Sequence, residues 1–300
     1  MGDTVLERAG DPAPGIIRIS GLAWALAVDR TLRTLAAEPE VDVAGYERSA
    51  PARALGALDP ADTGRLAAEL AAAGISGADG AIREPWLLAV MIAVSAPVRV
   101  SAVARSGECS VHTDLGLAGG RGVAVAYRRR VRTPEGPDTG PVDVVGVDDA
   151  VEVALFEEQD AWAALRRVLP EVPELRSAPG APRPPGLPAG GRTRLDPREL
   201  QETGGAAVPQ DLRDAVLAPR CTVHLQVSAA PPRGGATSGA AAYRSGDVWA
   251  LADRLYSVRT TVGDQPLVLE DVPPGDIAAT LQWRLLGARE FLAASAGQVA

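Results

Sequence analysis

The chain says nearly the same thing twice, far apart. Cys109-Ser-Val-His112 returns as Cys221-Thr-Val-His224, and these two segments hold both cysteines and both histidines of the 300 residues. Ala124-Val-Ala-Tyr127-Arg128 returns as Ala240-Ala-Ala-Tyr243-Arg244, and Asp160, Leu165 and Leu169 match Asp276, Leu281 and Leu285. The first match has an offset of 112 and the later ones 116, so one loop is four residues longer in the second half. Two copies at this spacing are too few and too long for a solenoid. They predict two related α/β halves in one pseudo-two-fold molecule. The scarce cysteines and histidines are then explained by duplication, not by an assembled active site.

A chain of this size can hide roughly 75% of its unfolded surface. Hydrophobic residues are 46% of it but aromatic ones only 4%, so Ala, Val and Leu must fill the core. All 30 basic residues are arginine. With 32 Gly and 25 Pro, this reads as the high-GC coding bias of actinobacteria. The net charge is -8, and the densest basic cluster, Arg128-Arg-Arg130, reads as the solvated end of a strand. Nothing here would neutralise a run of phosphates, which argues against nucleic acid as partner. Met1 to Gly15 lacks the basic start and apolar run of a signal peptide. The most apolar window, Trp86 to Val94, is less than half the length that crosses a bilayer. The expectation is a soluble, cytoplasmic protein with free thiols and no membrane insertion.

Ser20 caps a helix expected to reach Ala37, after a short strand at Ile16–Ile19. Residues 38–58 read as irregular. Helices follow at Asp62–Ala73, stopped by Gly74, and at Trp86–Ser95, begun by Pro85 and ended by Pro97. The period then switches to two. Strands are expected at Val98–Val103, from Cys109, at Val123–Arg130, at Val142–Val147 and at Val151–Phe156, with a helix at Asp160–Leu169. Residues 177–194 are rich in Pro and Gly and read as an extended connector between halves 1–176 and 195–300. Beyond it, helices are expected near Asp196–Thr203 and Pro209–Ala218. Strands are expected at Cys221–Ser228, Gly239–Ser245, Tyr256–Val262 and Leu267–Leu269, and a long helix at Pro274–Ser295.

The Cys-x-x-His pairs would supply four zinc ligands if a symmetry axis joined them. However, residues i and i+3 on a strand leave opposite faces, so equivalent core positions read better than a metal site. A nucleophile needs its base within hydrogen-bond reach, and each histidine already has a repeat-based account. There is no Gly-x-Ser-x-Gly elbow, and a chain without lysine has no Walker-type phosphate loop. Glu157-Glu158 and Asp148-Asp149 read as solvated turns. No catalytic residue, cofactor or metal is expected.

The segment 74–105 (GISGADGAIREPWLLAVMIAVSAPVRVSAVAR) resembles the N-terminal signature of the EspG family of chaperones, associated with type VII (ESX) secretion. GRGVAVAYR (120–128) and VEVALFEEQDAWAALRRVLPEVP (151–173) resemble its next block. The resemblance implies an α/β fold with a central, mostly antiparallel sheet and two helical bundles. It also implies a cytosolic, non-enzymatic chaperone that binds the exposed tip of a helical secretion substrate, a PE–PPE or WXG-like pair, as a monomer or weak dimer. In that family the partner contacts are the central sheet, the loop after the second strand and the C-terminal helices. Carried over, these are Arg105, Ser106, Gly107 and Glu108 in an unusually short loop, and Trp283. Arg233, Gly234 and Gly235, in the longer 230–239 segment, are candidates to take over contact. The alternative reading is a hydrolase or transferase with a cleft between the halves.

Overall fold

The computed structural model describes residues 15–35, 50–132, 143–183, 191–196, 208–231, 242–259 and 266–297. Strand β1 (Ile17–Ser20) leads directly into α1 (Gly21–Thr34). Ser20 caps that helix, its hydroxyl accepting from the Ala23 amide at 3.1 Å and so satisfying one donor of the first turn. The same hydroxyl donates to Glu69 at 2.8 Å, which ties the cap to a later helix. Helices α2 (Ala50–Gly56), α3 (Pro60–Ala72) and α4 (Glu84–Ser95) complete an N-terminal bundle. Gly74 stops α3 at φ +72°, a left-handed conformation that glycine takes without strain.

Four long strands follow, β2 (Val98–Ser106), β3 (Cys109–Ala118), β4 (Arg121–Arg132) and β5 (Asp143–Glu157). Helix α5 (Ala161–Val168) and the single turn α6 (Pro173–Arg176) close this half. The other half runs β6 (Arg192–Leu195), α7 (Gln210–Leu217), β7 (Cys221–Ala229), β8 (Tyr243–Leu251), β9 (Leu255–Arg259), β10 (Leu267–Asp271) and α8 (Asp276–Gly297).

All ten strands form one antiparallel sheet in the order β1-β5-β4-β3-β2-β7-β8-β9-β10-β6. The order reads alike from its centre outward, with β2 and β7 meeting at a seam from Val98↔Ala229 to Ser106↔Cys221. Helices α5 and α8 take matching places in chain order, after β5 and after β10, and their matched leucines Leu165 and Leu281 are fully buried. The Cys/His motifs, by contrast, are not rotational counterparts. Cys221 opens β7, whose counterpart is β2, whereas Cys109 opens β3. Both strands instead flank β2 in the same register: Ser106 lies between Cys109 and Cys221, and Val103 between His112 and His224. The likeness is translational, because β3 and β7 alternate the same kinds of side chain against one core. Cys109 is exposed and Cys221 buried, so the expectation of equivalent core positions is corrected. The two cysteines share the face of Ser106 and the two histidines that of Val103, on opposite sides of the sheet, so the four side chains cannot gather on one zinc.

One face of the sheet is covered along its middle. Val100, Leu115, Leu117, Val223, Val227 and Trp249 pack there against α5 and α8, each such side chain contributing about 1.5–3 kcal/mol by leaving water. Trp249 donates its indole N–H to Asp276 at 2.8 Å, and Arg284 grips Asp247 through two bonds. The other face is covered only towards its ends. Over β4 and β5, the N-terminal helices bury Val123 and Val153 with Trp24, Leu70, Ile75 and Trp86. Over the far strands, α7 buries Ala250, Tyr256 and Leu269.

Several local expectations change. Residues 50–56 are helical, with no buried residue of their own but with Leu55 packed on the N-terminal core. The two expected strands at 142–156 are one, which passes exposed Asp148 and Asp149 as a bulge between the pairs Arg129↔Val147 and Tyr127↔Val151. The strand expected to end at Ser245 runs on to Leu251, with exposed Gly246 masking its alternation. The connector is fastened at both described ends. Arg183 donates to the Asp271 carboxylate at 2.7 Å and to its carbonyl at 2.9 Å, and residues 192–195 pair with β10 as an edge strand. The helix expected at Asp196–Thr203 lies outside the described residues after Asp196.

Candidate docking surface

Between the N-terminal bundle and α7, the middle of the sheet lies open. Strict alternation puts it there: Val98, Val100, Ala102 and Ala104 of β2 enter the core, while Arg99, Ser101, Val103 and Arg105 face outward. Across the strands, Tyr127, His112, Val103, His224 and Val248 form one continuous row of exposed or half-buried side chains. The row runs into the flanking cores through Val151 at one end and Val258 at the other. Above it, Ser101 lies between Asp114 and Gln226, and Arg99 between Gly116 and Ser228. Below it, Arg105 lies between Ser110 and Thr222. The result is a shallow trough with an apolar and aromatic stripe across it and polar rows on either side.

One wall approaches because a glycine lets it. A Cβ on Gly116 would lie 2.5 Å from the Ile92 carbonyl oxygen, so α4 rests directly on β3 there. Arg99 secures the same junction, donating to the carbonyls of Ala93, at 3.1 Å, and Val94 in the last turn of α4. That is where a cation best complements the helix dipole. Burial lowers the pKa of Arg99 from its ordinary value, and Asp114 opposes the shift. The dent bordered by Arg99, Ser101, Asp114 and Gln226 holds about 180 Å³, below the roughly 300–1,000 Å³ of small-molecule sites.

The stripe is electrically quiet. The His112 ring stacks on Tyr127 with centroids 5.1 Å apart and planes 14° from parallel. Arg129 lies 4.9 Å from the Tyr127 centroid and donates to its hydroxyl at 2.9 Å. Burial, then the Arg129 charge, push His112 below the usual histidine range, with Asp114 opposing. Burial lowers His224 as well. Both imidazoles are therefore neutral at pH 7. Cys109 and His112 leave β3 on opposite faces and do not form a nucleophile–base pair. Among the described residues, no three His, Cys, Asp or Glu side chains gather as metal ligands, and no helix is long and apolar enough to cross a membrane.

Arg105, Ser106, Gly107 and Glu108 come together in the β2–β3 turn at the lower end of the trough. Gly107 takes φ +55°, and Arg105 Nε donates to its carbonyl at 3.2 Å. Trp283 is not brought to this surface. It stands 71% exposed on α8, which packs on the opposite face of the sheet. Arg233, Gly234 and Gly235 lie outside the described residues. The strand leading to them ends at the upper end of the trough, where the Ala230 amide bonds Pro97 O at 3.0 Å. Sequence reasoning missed Val103, His112, Tyr127, His224, Asp114 and Gln226 as surface residues. The available signal was that each alternates with a core residue.

A ten-stranded antiparallel sheet with helices on both faces and an open middle defines a mixed α/β protein with a broad, shallow surface. This fold is similar to that of the Mycobacterium tuberculosis type VII secretion system chaperone EspG5, solved in complex with a PE25–PPE41 dimer. The likeness spans 91% of this chain and 94% of that one, with a TM-score of 0.50 and 13% sequence identity, and it is a likeness of fold. No family model and no curated protein matches the sequence.

Proposed function

We propose that the protein is a non-enzymatic, EspG-like chaperone that holds the tip of a helical type VII secretion substrate, such as a PE–PPE pair, in its trough. The observation that carries this reading is the uncharged stripe from Tyr127 to Val248, left open between two helical walls. An amphipathic helical tip exposes apolar surface that aggregates when uncovered, and a broad stripe rimmed by polar groups covers it without any chemistry. The solved neighbour was captured with a PE–PPE dimer, which supports the same partner class here. Arg105 to Glu108 extend the surface at its lower end. On this reading the chaperone works in the cytoplasm, upstream of export, and needs no cofactor.

The test is a tagged pull-down from the native host with two baits, the natural chain and Val103→Asp. A stoichiometric helical pair should accompany the natural chain. A carboxylate placed in the centre of a desolvated interface without a partner costs about 2 kcal/mol or more, so V103D should lose that pair at least about 30-fold with its melting temperature nearly unchanged. Equal recovery on both baits would move the interface elsewhere.

A further inference from the structure

We propose that the outer edge of β5, residues 143–149, is a second docking site that takes an extended strand from a partner protein with basic residues at the ends of that strand. On its inner side β5 is paired by β4 as far as Arg132↔Asp143, with one bulge at Val145 and another after Val147. On its outer side β1 covers only Ala150 to Val153, because β1 turns into α1 at Gly21. Seven residues therefore present their outer backbone groups with no strand beside them among the described residues. An edge of this kind is a template for an added strand. Val144, Val145 and Val147 stand on it, 51%, 49% and 58% exposed, the densest run of exposed large apolar side chains among the described residues.

Charge selects the occupant. Exposed Asp143 closes one end of the edge, and exposed Asp148 and Asp149 close the other. Two copies of this chain paired antiparallel about Gly146 would set Asp143 opposite Asp149. A shift of one residue would set Asp143 opposite Asp148. Like charges directly opposite destabilise a strand pair, so these acids disfavour self-pairing and favour a foreign strand ended by Arg or Lys. Arg132 stands opposite Asp143 on β4, and the Arg130 guanidinium reaches over Gly146 in the middle of the edge, so acid meets an incoming strand at the ends of the edge and not at its centre. The edge is also tied to the lower end of the trough, since the Val131 amide donates to Glu108 O at 2.8 Å.

The test uses the full chain and two synthetic nonapeptides of alternating valine and threonine, one ended by arginine on both sides and one by glutamate. The arginine-ended peptide should bind at least tenfold more tightly by calorimetry and slow amide exchange over 143–149. Val145→Asp with Val147→Asp should weaken it tenfold or more, and Asp143→Arg with Asp149→Arg should invert the peptide preference. The V103D variant should bind the peptide as the natural chain does, which separates this site from the trough. The proposal is overturned if neither peptide binds, if both bind alike, if protection appears elsewhere or if the arginine pair fails to invert the preference. A concentration-dependent dimer dissolved by the V145D/V147D pair would assign the edge to a second copy and overturn it too.

Discussion

His112 and His224 keep the stripe neutral at a cost that acid exposes. Their folded pKa values lie below the ordinary histidine value, which is about 6.5 in the unfolded chain. Between the two values the unfolded chain binds more protons, so stability rises with pH across that window. The contribution is complete above about pH 6.5 and is lost as pH falls through the folded values. We expect the urea midpoint to fall from pH 7 to pH 5, and His112→Gln with His224→Gln to flatten that fall. A slope identical to that of the natural chain would mean that the imidazoles are not held neutral. Single glycines offer a second measurement at this scale. Gly116→Ala drives a Cβ into a backbone carbonyl and should cost about 2–3 kcal/mol, as overpacking does. Gly64, inside α3, has nothing within 4 Å of its added Cβ. Gly64→Ala should therefore add about 0.5–1 kcal/mol through helix propensity, and chemical melts of the two variants should move in opposite directions.

At the scale of elements, the connector and β10 are joined by one buried carboxylate. Asp271 receives Arg183 at 2.7 Å and Arg254 at 3.1 Å, and its side chain is 3% exposed. Either arginine alone still partners the carboxylate, so Arg183→Ala or Arg254→Ala should each cost about 1 kcal/mol, near the value of one net hydrogen bond. The double variant removes both guanidinium partners of a buried charge and should cost about 3–5 kcal/mol. A double-mutant cycle should therefore show clear non-additivity, and simple addition would mean that Asp271 is rescued by water. Elements with local punctuation were legible in the sequence. Ser20 capped α1, and Gly74 stopped α3. Elements defined by distant pairing were not legible. β6 is a strand because β10 lies beside it, and β5 is one strand because β4 pairs it on both sides of the bulge at Asp148 and Asp149. The trough was hidden for the same reason. Val103 sits between His112 and His224 only through cross-strand register, which one strand's alternation does not contain.

At the scale of the molecule, the seam from Val98↔Ala229 to Ser106↔Cys221 makes each half the largest partner of the other. Two chains, 1–183 and 191–300, expressed separately should aggregate, since each would expose the apolar residues of a bare central strand. Expressed together they should co-purify as a one-to-one complex with the circular dichroism of the intact chain. Independent folding of either half would show that the sheet is two domains side by side.

The same seam divides the trough between two stretches of chain that lie far apart in sequence. Residues 99–127 supply one bank and residues 222–248 the other. A change of partner can then be met by revising one bank while the other keeps its grip. On the docking function proposed above, exchanging a whole half between two such proteins would transfer half of a preference, and the hybrid would match neither parent's partner.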